Sequence, residues 1–530
     1  MRPEKRRSIG LLIAIVLLVI ALAATGTVAV VQSRRLDSSR DTMAELRDQS
    51  EDDAARIADL QQALEERPEE PEPEEDAPEA EEGAPEQGQG GLEDLFGEGG
   101  LEDLLGEGGL EDLLGQGGLG ELFGEGGLED MLGGIGDAPQ VDDCITGIED
   151  LPDVAGNSLQ QQFADATEAV EDLRGQDFPE MITPTIKSSE EIRSFFNQEI
   201  TEEYPADEAD LDQRILAGLG AIPADLDLIQ TQTELLGDQV AGYYDDETKE
   251  LVVRADDPNA ELGAFGLIAL AHELEHALVD ATVGLPPLDE YGTDEDAALA
   301  ALATVEGSAV ALQTQFQMSA MDPMALLAEL GANLDQGLDE VPYYIAQNLT
   351  FPYIAGPNYV CGLYGQGGWD AVNQAVGQPP STSHQILFPG QTEDAVDVPD
   401  PSGPEGYERH ETRTFGAAPL SWLFGAPAGD ESLALPDPTA AVAPWRGGEV
   451  TLWTSGDDSA IAMVLAGEGL CDPVGQWWSA TAGEPAGTPE GTEQVVQQTA
   501  ADTWGVVSCD GEDVRLGVGP TVEIARAATR

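Results

Sequence analysis

His272-Glu273-Leu274-Glu275-His276 lies inside an apolar run covering residues 262–279. Apolar residues crowd both sides of it, as in a helix set into a core. Side chains four apart on a helix share one face, so both imidazoles can reach a single metal ion. Glu273 follows the first histidine by one position and precedes the second by three. That places its carboxylate beside the open side of such an ion, where it can hold a water and act as general base. The chain has four histidines in all, His272, His276, His384 and His410, so two of them at this spacing carry weight. The plainer alternative is a pair of histidines on a solvated or core helix face.

Two histidines do not complete a catalytic zinc site, which needs three protein ligands and a position for water. A third histidine at the spacing His-x-x-Gly-x-x-His is excluded, because residues 279–282 read Val279, Asp280, Ala281 and Thr282. The other solution is a carboxylate from a later helix. Between Asp296 and Asp322, Glu306 is the only charged residue, in a stretch rich in alanine. A lone carboxylate is costly to bury without a partner, and a divalent cation supplies one. His272, His276 and Glu306 are therefore the expected zinc ligands; a carboxylate ion-paired or solvated at a helix edge is the alternative. No Cys-x-x-Cys occurs, which disfavours a thiolate site.

At these residues the chain resembles the gluzincin metallopeptidases, and more narrowly a group of uncharacterised bacterial membrane-attached putative metallopeptidases. The likeness rests on Val240-Ala241-Gly242-Tyr243-Tyr244-Asp245, on residues 272–280, on Val305-Glu306-Gly307 and on residues 379–387. It covers about residues 155–389. Where gluzincins often carry an acidic residue four after the ligand Glu, this chain has Val310. Ser308 stands where the narrower group tends to have Asp. Asp280 or Asp296 could then orient a ligand histidine. The resemblance implies zinc-assisted peptide hydrolysis with Glu273 as base. Residues able to stabilise the oxyanion are His384, the first choice, then Tyr353 and Tyr359, all in downstream sequence that reads as loop.

The expected fold is α+β: a zincin-like catalytic domain over 141–400 with a mixed sheet and the histidine-bearing helix, then a smaller C-terminal α/β domain over 412–530. Helices are predicted over 156–173, 189–203, 207–219, 224–236, 260–282 and 295–321, and a strand over 181–187. Residues 239–244 and 250–254 form a predicted hairpin whose edge could carry an extended peptide. Six of the seven tryptophans fall beyond residue 401, with a turn signal at Asp510-Gly511.

Residues 11–31 are almost continuously apolar, long enough to span a bilayer. Arg2, Lys5, Arg6 and Arg7 precede them and favour an inside N-terminus with the body outside the cytoplasm. A cleaved signal peptide with a site near residues 21–23 is the rival, but the run continues well past that point. Residues 1–33 thus read as a basic stub and membrane anchor, 34–67 as a polar stalk helix with some coiled-coil character, and 68–140 as a disordered acidic linker rich in Gly, Glu and Pro.

Within the linker, Gly91-Leu92-Glu93-Asp94-Leu95-Phe96-Gly97 recurs with small changes at nine-residue spacing up to Gly134. Its glycines are in the wrong register for a calcium-binding β-roll. A flexible spacer is the plain reading, with partner binding by the repeats as the sharper one. Lys plus Arg number 22 against 103 Asp plus Glu, a formal charge of -81. Such a surface repels phosphate backbones and argues against nucleic acid as partner; it also suits life in high salt. Four cysteines outside the cytoplasm suggest two disulfides. Cys471–Cys509 is the preferred pair, leaving Cys144–Cys361.

These observations converge on a membrane-anchored, extracytoplasmic zinc metallopeptidase acting on peptide or protein. Two alternatives stay open: a tethered interaction protein with a vestigial zinc site, and a zinc amidase with a non-protein substrate.

Overall fold

Side-chain caps set where the first helices begin. Ser158 caps α1 (Leu159–Arg174), which ends at Gly175 in the left-handed region. Ser188 and Glu191 form a reciprocal capping box at the start of α2 (Ser189–Glu203). The computed structural model describes residues 158–237, 241–257, 261–321, 341–482, 493–498 and 503–530, with Cys144, Leu151, Pro152 and Val154. The expected anchor (1–33), stalk (34–67) and linker with its repeats (68–140) lie outside them.

After α2 come α3 (Ala206–Gly218) and α4 (Leu228–Gly237). The last starts four residues later than its pattern predicts, because Asp227 accepts from the Gln230 N–H and caps it there. A three-stranded mixed sheet follows in the order β1-β3-β2. Strand β1 (Thr185–Lys187) runs parallel to β3 (Glu250–Arg254), and β2 (Gly242–Asp245) pairs antiparallel on the other side of β3. Only the end of the predicted 181–187 strand forms; Pro184 lacks the N–H a ladder needs, and pairing starts just after it.

Helix α5 (Ala264–Thr282) packs on β2 and β3, α6 (Glu295–Ser319) packs on α5, and α7 (Tyr343–Gly377) packs on α6. By length and hydropathy α6 could cross a membrane, but it is buried almost all round and is a core helix. Gly307 of α6 lies against Gly356 of α7, the closest approach that helices without side chains at the contact permit. Helix α7 carries Pro352 and Pro357 and kinks at Gly367–Gly368. A short capped helix, α8 (Ser383–Leu387), ends this half.

The remaining chain builds an all-antiparallel six-stranded sheet in the order β4-β5-β6-β9-β8-β7. Its strands are β4 (Glu408–Thr414), β5 (Gly447–Ser455), β6 (Asp458–Ala466), β7 (Glu493–Gln498), β8 (Thr503–Asp510) and β9 (Asp513–Gly519). Helices α9 (Ala417–Gly425), α10 (Pro438–Val442), α11 (Cys471–Thr481) and α12 (Val522–Ala528) accompany them. The predicted turn joins β8 to β9, with Gly511 at φ 68°. Short hairpins join β5 to β6, β7 to β8 and β8 to β9, and the β4–β5 and β6–β9 pairs are antiparallel as well, so the sheet lacks the parallel βαβ order that an α/β label implies. The whole is consistent with the α+β class.

Trp445, Trp477, Trp478, Phe424 and Met463 form the heart of an extensive core, which also takes in Ile215, Leu219 and Leu228 from the α3–α4 region. Residues on either side of 401–411 thus share one core, and all described residues fall in one compact unit. Disulfides join Cys144 to Cys361 and Cys471 to Cys509, the pairing preferred from sequence.

Candidate metal centre

Helix α5 owes its position to its composition. From Leu267 to Val279 every residue is buried, so the two histidines and two glutamates between them are carried into the core by their apolar neighbours. His272 is 0% exposed, His276 4%, Glu273 1% and Glu275 0%. Glu306 arrives from α6 at 1% exposure. Five polar side chains at this depth need partners of matching charge.

His272 Nε2 lies 3.1 Å from His276 Nε2 and 3.1 Å from Glu306 Oε2; His276 Nε2 lies 3.5 Å from the same oxygen. A tetrahedral ion with ligand bonds of 2.0–2.1 Å separates its ligand atoms by about 3.3 Å. The triangle therefore has the edge lengths of one face of such a tetrahedron. Among the described residues this is the group able to hold a metal ion.

Charge agrees with geometry. Glu275 faces Arg174, with Oε2 3.2 Å from the guanidinium Nε, close enough to pair although the angles are not those of a hydrogen bond. Glu275 Oε1 also accepts from Ser308 Oγ at 2.7 Å. With that pair cancelled, two acidic side chains, Glu273 and Glu306, remain beside two imidazoles, a set whose ionised form complements a divalent cation. Burial opposes the ionisation of Glu306, but His276 and His272 outweigh it and hold the carboxyl at about 2. Burial likewise opposes charge on His276, yet Glu306, Glu273 and Glu275 push it up to about 9. Without a cation, a proton on His276 partly balances the site.

Around the ligands, Gln313 Oε1 lies 3.1 Å from His272 Nδ1. A carbonyl oxygen there keeps the proton on Nδ1 and turns the Nε2 lone pair to the ion. Gln313 follows Glu306 by seven residues, two turns along the same face of α6, a relation available in the sequence but not drawn from it. The two aspartates considered for this task are engaged elsewhere. Asp280 accepts from Tyr244 Oη and pairs with Lys249, and Asp296 accepts from the Ser383 N–H. Ser308 serves Glu275 rather than a histidine.

Glu273 is held from the hairpin: the Tyr244 N–H donates to Oε2 at 2.9 Å. Oε1 is buried and has no hydrogen-bond partner among the described residues. Burial pushes this carboxyl up, and His272, His276 and the Tyr244 amide oppose the rise.

Of the three candidates for stabilising an oxyanion, one reaches the group. Tyr353 on α7 is hydrogen-bonded to Glu306, and its ring lies 6.4 Å from that of His272. Burial and the neighbouring Glu306 and Glu273 raise its pKa well above the usual phenol value, so it stays a proton donor. Tyr359 packs into apolar clusters between α6 and α7. His384 is not brought to the site: its Nε2 lies 3.0 Å from Ala443 O, and its ring packs on Phe388 and Trp445. The helix cap at Thr382 and the Ser383–Asp296 bond fix α8 against α6 and α9 and turn the imidazole to the sheet side.

Comparisons with protein-family models, with curated proteins and with solved structures find no match to this chain.

Proposed function

We propose that the protein is a zinc-dependent metallopeptidase of the gluzincin type, held at a membrane by residues 11–31 with its body outside the cytoplasm. The observation that carries this reading is the His272–His276–Glu306 triangle with Glu273 fixed beside it. A site built only to hold metal has no use for a buried carboxylate with one anchored and one free oxygen. The motif resemblance at residues 240–245, 272–280 and 305–307 supports the assignment, and two disulfides suit an oxidising compartment.

Zinc, when bound, supplies Lewis acidity toward a water molecule and a carbonyl oxygen. His272, set by Gln313, His276 and Glu306 would hold it. Glu273 takes a proton from the attacking water on Oε1 and delivers it to the leaving amine, while the Tyr244 amide keeps Oε2 in place. Tyr353, rather than His384, donates to the oxygen that gains charge. The β2 edge of the small sheet, the strand that carries Tyr244, offers backbone groups to an extended peptide.

Metal content and cleavage of a peptide pool, measured on the full-length chain and on Glu273→Gln, test the proposal. Stoichiometric zinc in both with cleavage only in the parent is the expected result. Zinc without cleavage in either overturns the peptidase reading, and absence of zinc overturns the site.

A further inference from the structure

Successive residues of a strand face opposite ways, and β2 uses this at Tyr243-Tyr244. Tyr243 stacks on Phe195 with ring centroids 5.0 Å apart and accepts from Lys187 Nζ at 2.7 Å, tying the strand to α2 and β1. Tyr244 faces α5. There it makes two bonds: its amide reaches Glu273 Oε2 at 2.9 Å, and its phenol donates to Asp280 Oδ2 at 2.7 Å.

Glu273 and Asp280 are seven residues apart, two turns along one face of α5, or about 10 Å at 1.5 Å per residue. A tyrosine is long enough for its two ends to span most of that interval. One residue of the hairpin is thereby fastened to the helix at two points. Asp280 is braced from the other side by Lys249, whose ammonium approaches the same oxygen from the hairpin turn. The side chains of Tyr244 and Asp280 are nearly buried, so water competes poorly for their bond.

We infer that Tyr244 is a positioning residue for Glu273, with the phenol–Asp280 bond setting how closely the residue-244 amide grips the carboxylate. Without that bond only the short β2–β3 ladder holds the amide in place, and four paired residues make a weak spring. Glu273 then turns more freely, and its proton-transfer geometry is lost for part of the time. The catalytic half of this inference rests on the peptidase proposal; the mechanical half does not.

The test uses the zinc-treated full-length chain, Tyr244→Phe, Asp280→Ala, the double variant and Asp280→Asn. Hydrogen exchange at the residue-244 amide reads the grip directly. We expect exchange about tenfold faster in each of the first two, the size of one lost bond to a charged group. The double variant should be no faster than the faster single. Asp280→Asn, whose amide oxygen still accepts from the phenol, should return protection to the parent level. Under the peptidase reading, kcat falls by about the same factor while KM and zinc content hold. Unchanged protection in Tyr244→Phe, or Asp280→Asn as exposed as Asp280→Ala, overturns the inference. A parent chain that cleaves no peptide, with exchange as expected, leaves the clamp standing and removes the peptidase reading instead.

Discussion

Gly307 and Gly356 meet across the α6–α7 contact with no room for a methyl group on either. A Cβ on Gly307 would stand 2.5 Å from the Gly356 carbonyl, and one on Gly356 would press on the Ala303 carbonyl and the Gly307 Cα. Gly307 immediately follows Glu306, and Tyr353 is three residues before Gly356. The same contact that packs the two helices therefore sets the phenol on the carboxylate. Gly307→Ala should cost about 1–3 kcal/mol through overpacking and weaken zinc binding in the same protein. Urea denaturation paired with zinc titration checks both; full stability with full affinity would show that the contact is slack.

Removing the Glu306 charge should loosen the hold on zinc. Glu306→Gln keeps the shape but leaves His276 without its main counter-charge. Zinc retention after mild chelation should drop by at least about tenfold, read by metal analysis. Glu275→Gln should instead lower stability with zinc still bound, because it leaves Arg174 buried with one partner fewer.

Zinc affinity should depend steeply on pH. His276 is protonated up to about 9 in the metal-free protein, and Glu306 is ionised above about 2. Below about 9, binding must therefore expel one proton from His276, and affinity rises as pH rises, by about tenfold per unit. Above that it levels off. Competition titrations with a chelator between pH 6 and 10 would expose the slope, and a flat profile would mean that His276 is already neutral.

Stability should fall as pH rises through the Asp296 range. Burial pushes this carboxyl up to about 7, against the lowering effect of Ser383. Its folded pKa lies above the unfolded value near 3.9, so the folded protein binds the extra proton. That contribution is present at low pH and is lost between about 4 and 7, on the order of 4 kcal/mol at most. Asp296→Asn should remove this slope in denaturation series across the interval, whatever it does to absolute stability.

How much of this was legible beforehand follows the range of each relation. His272, Glu273 and His276 are neighbours on one helix, and the four-residue spacing is a local geometric fact. Glu306 stood out because burial of a lone charge demands a reason. Arg174 and Glu275 are separated by a hundred residues, and no spacing rule joins them; only the packing of α1 on α5 does. Ser308 could be seen as unusual, but its partner could not. His384 was judged on residue type alone, and helix capping sent it to Trp445. The late start of α4 and the short β1 were decided by single residues, Asp227 and Pro184, whose local chemistry outweighed the longer pattern.

The Cys144–Cys361 bond closes the chain into a covalent ring, its ends 217 positions apart in sequence. His272, Glu273, His276, Glu306, Tyr244 and Tyr353 all lie within that ring, while the six-stranded sheet hangs outside it. A cut anywhere on the ring, by this protein or another, opens the circle without releasing a fragment. Such nicked molecules would migrate as intact chains until a reductant separates the pieces.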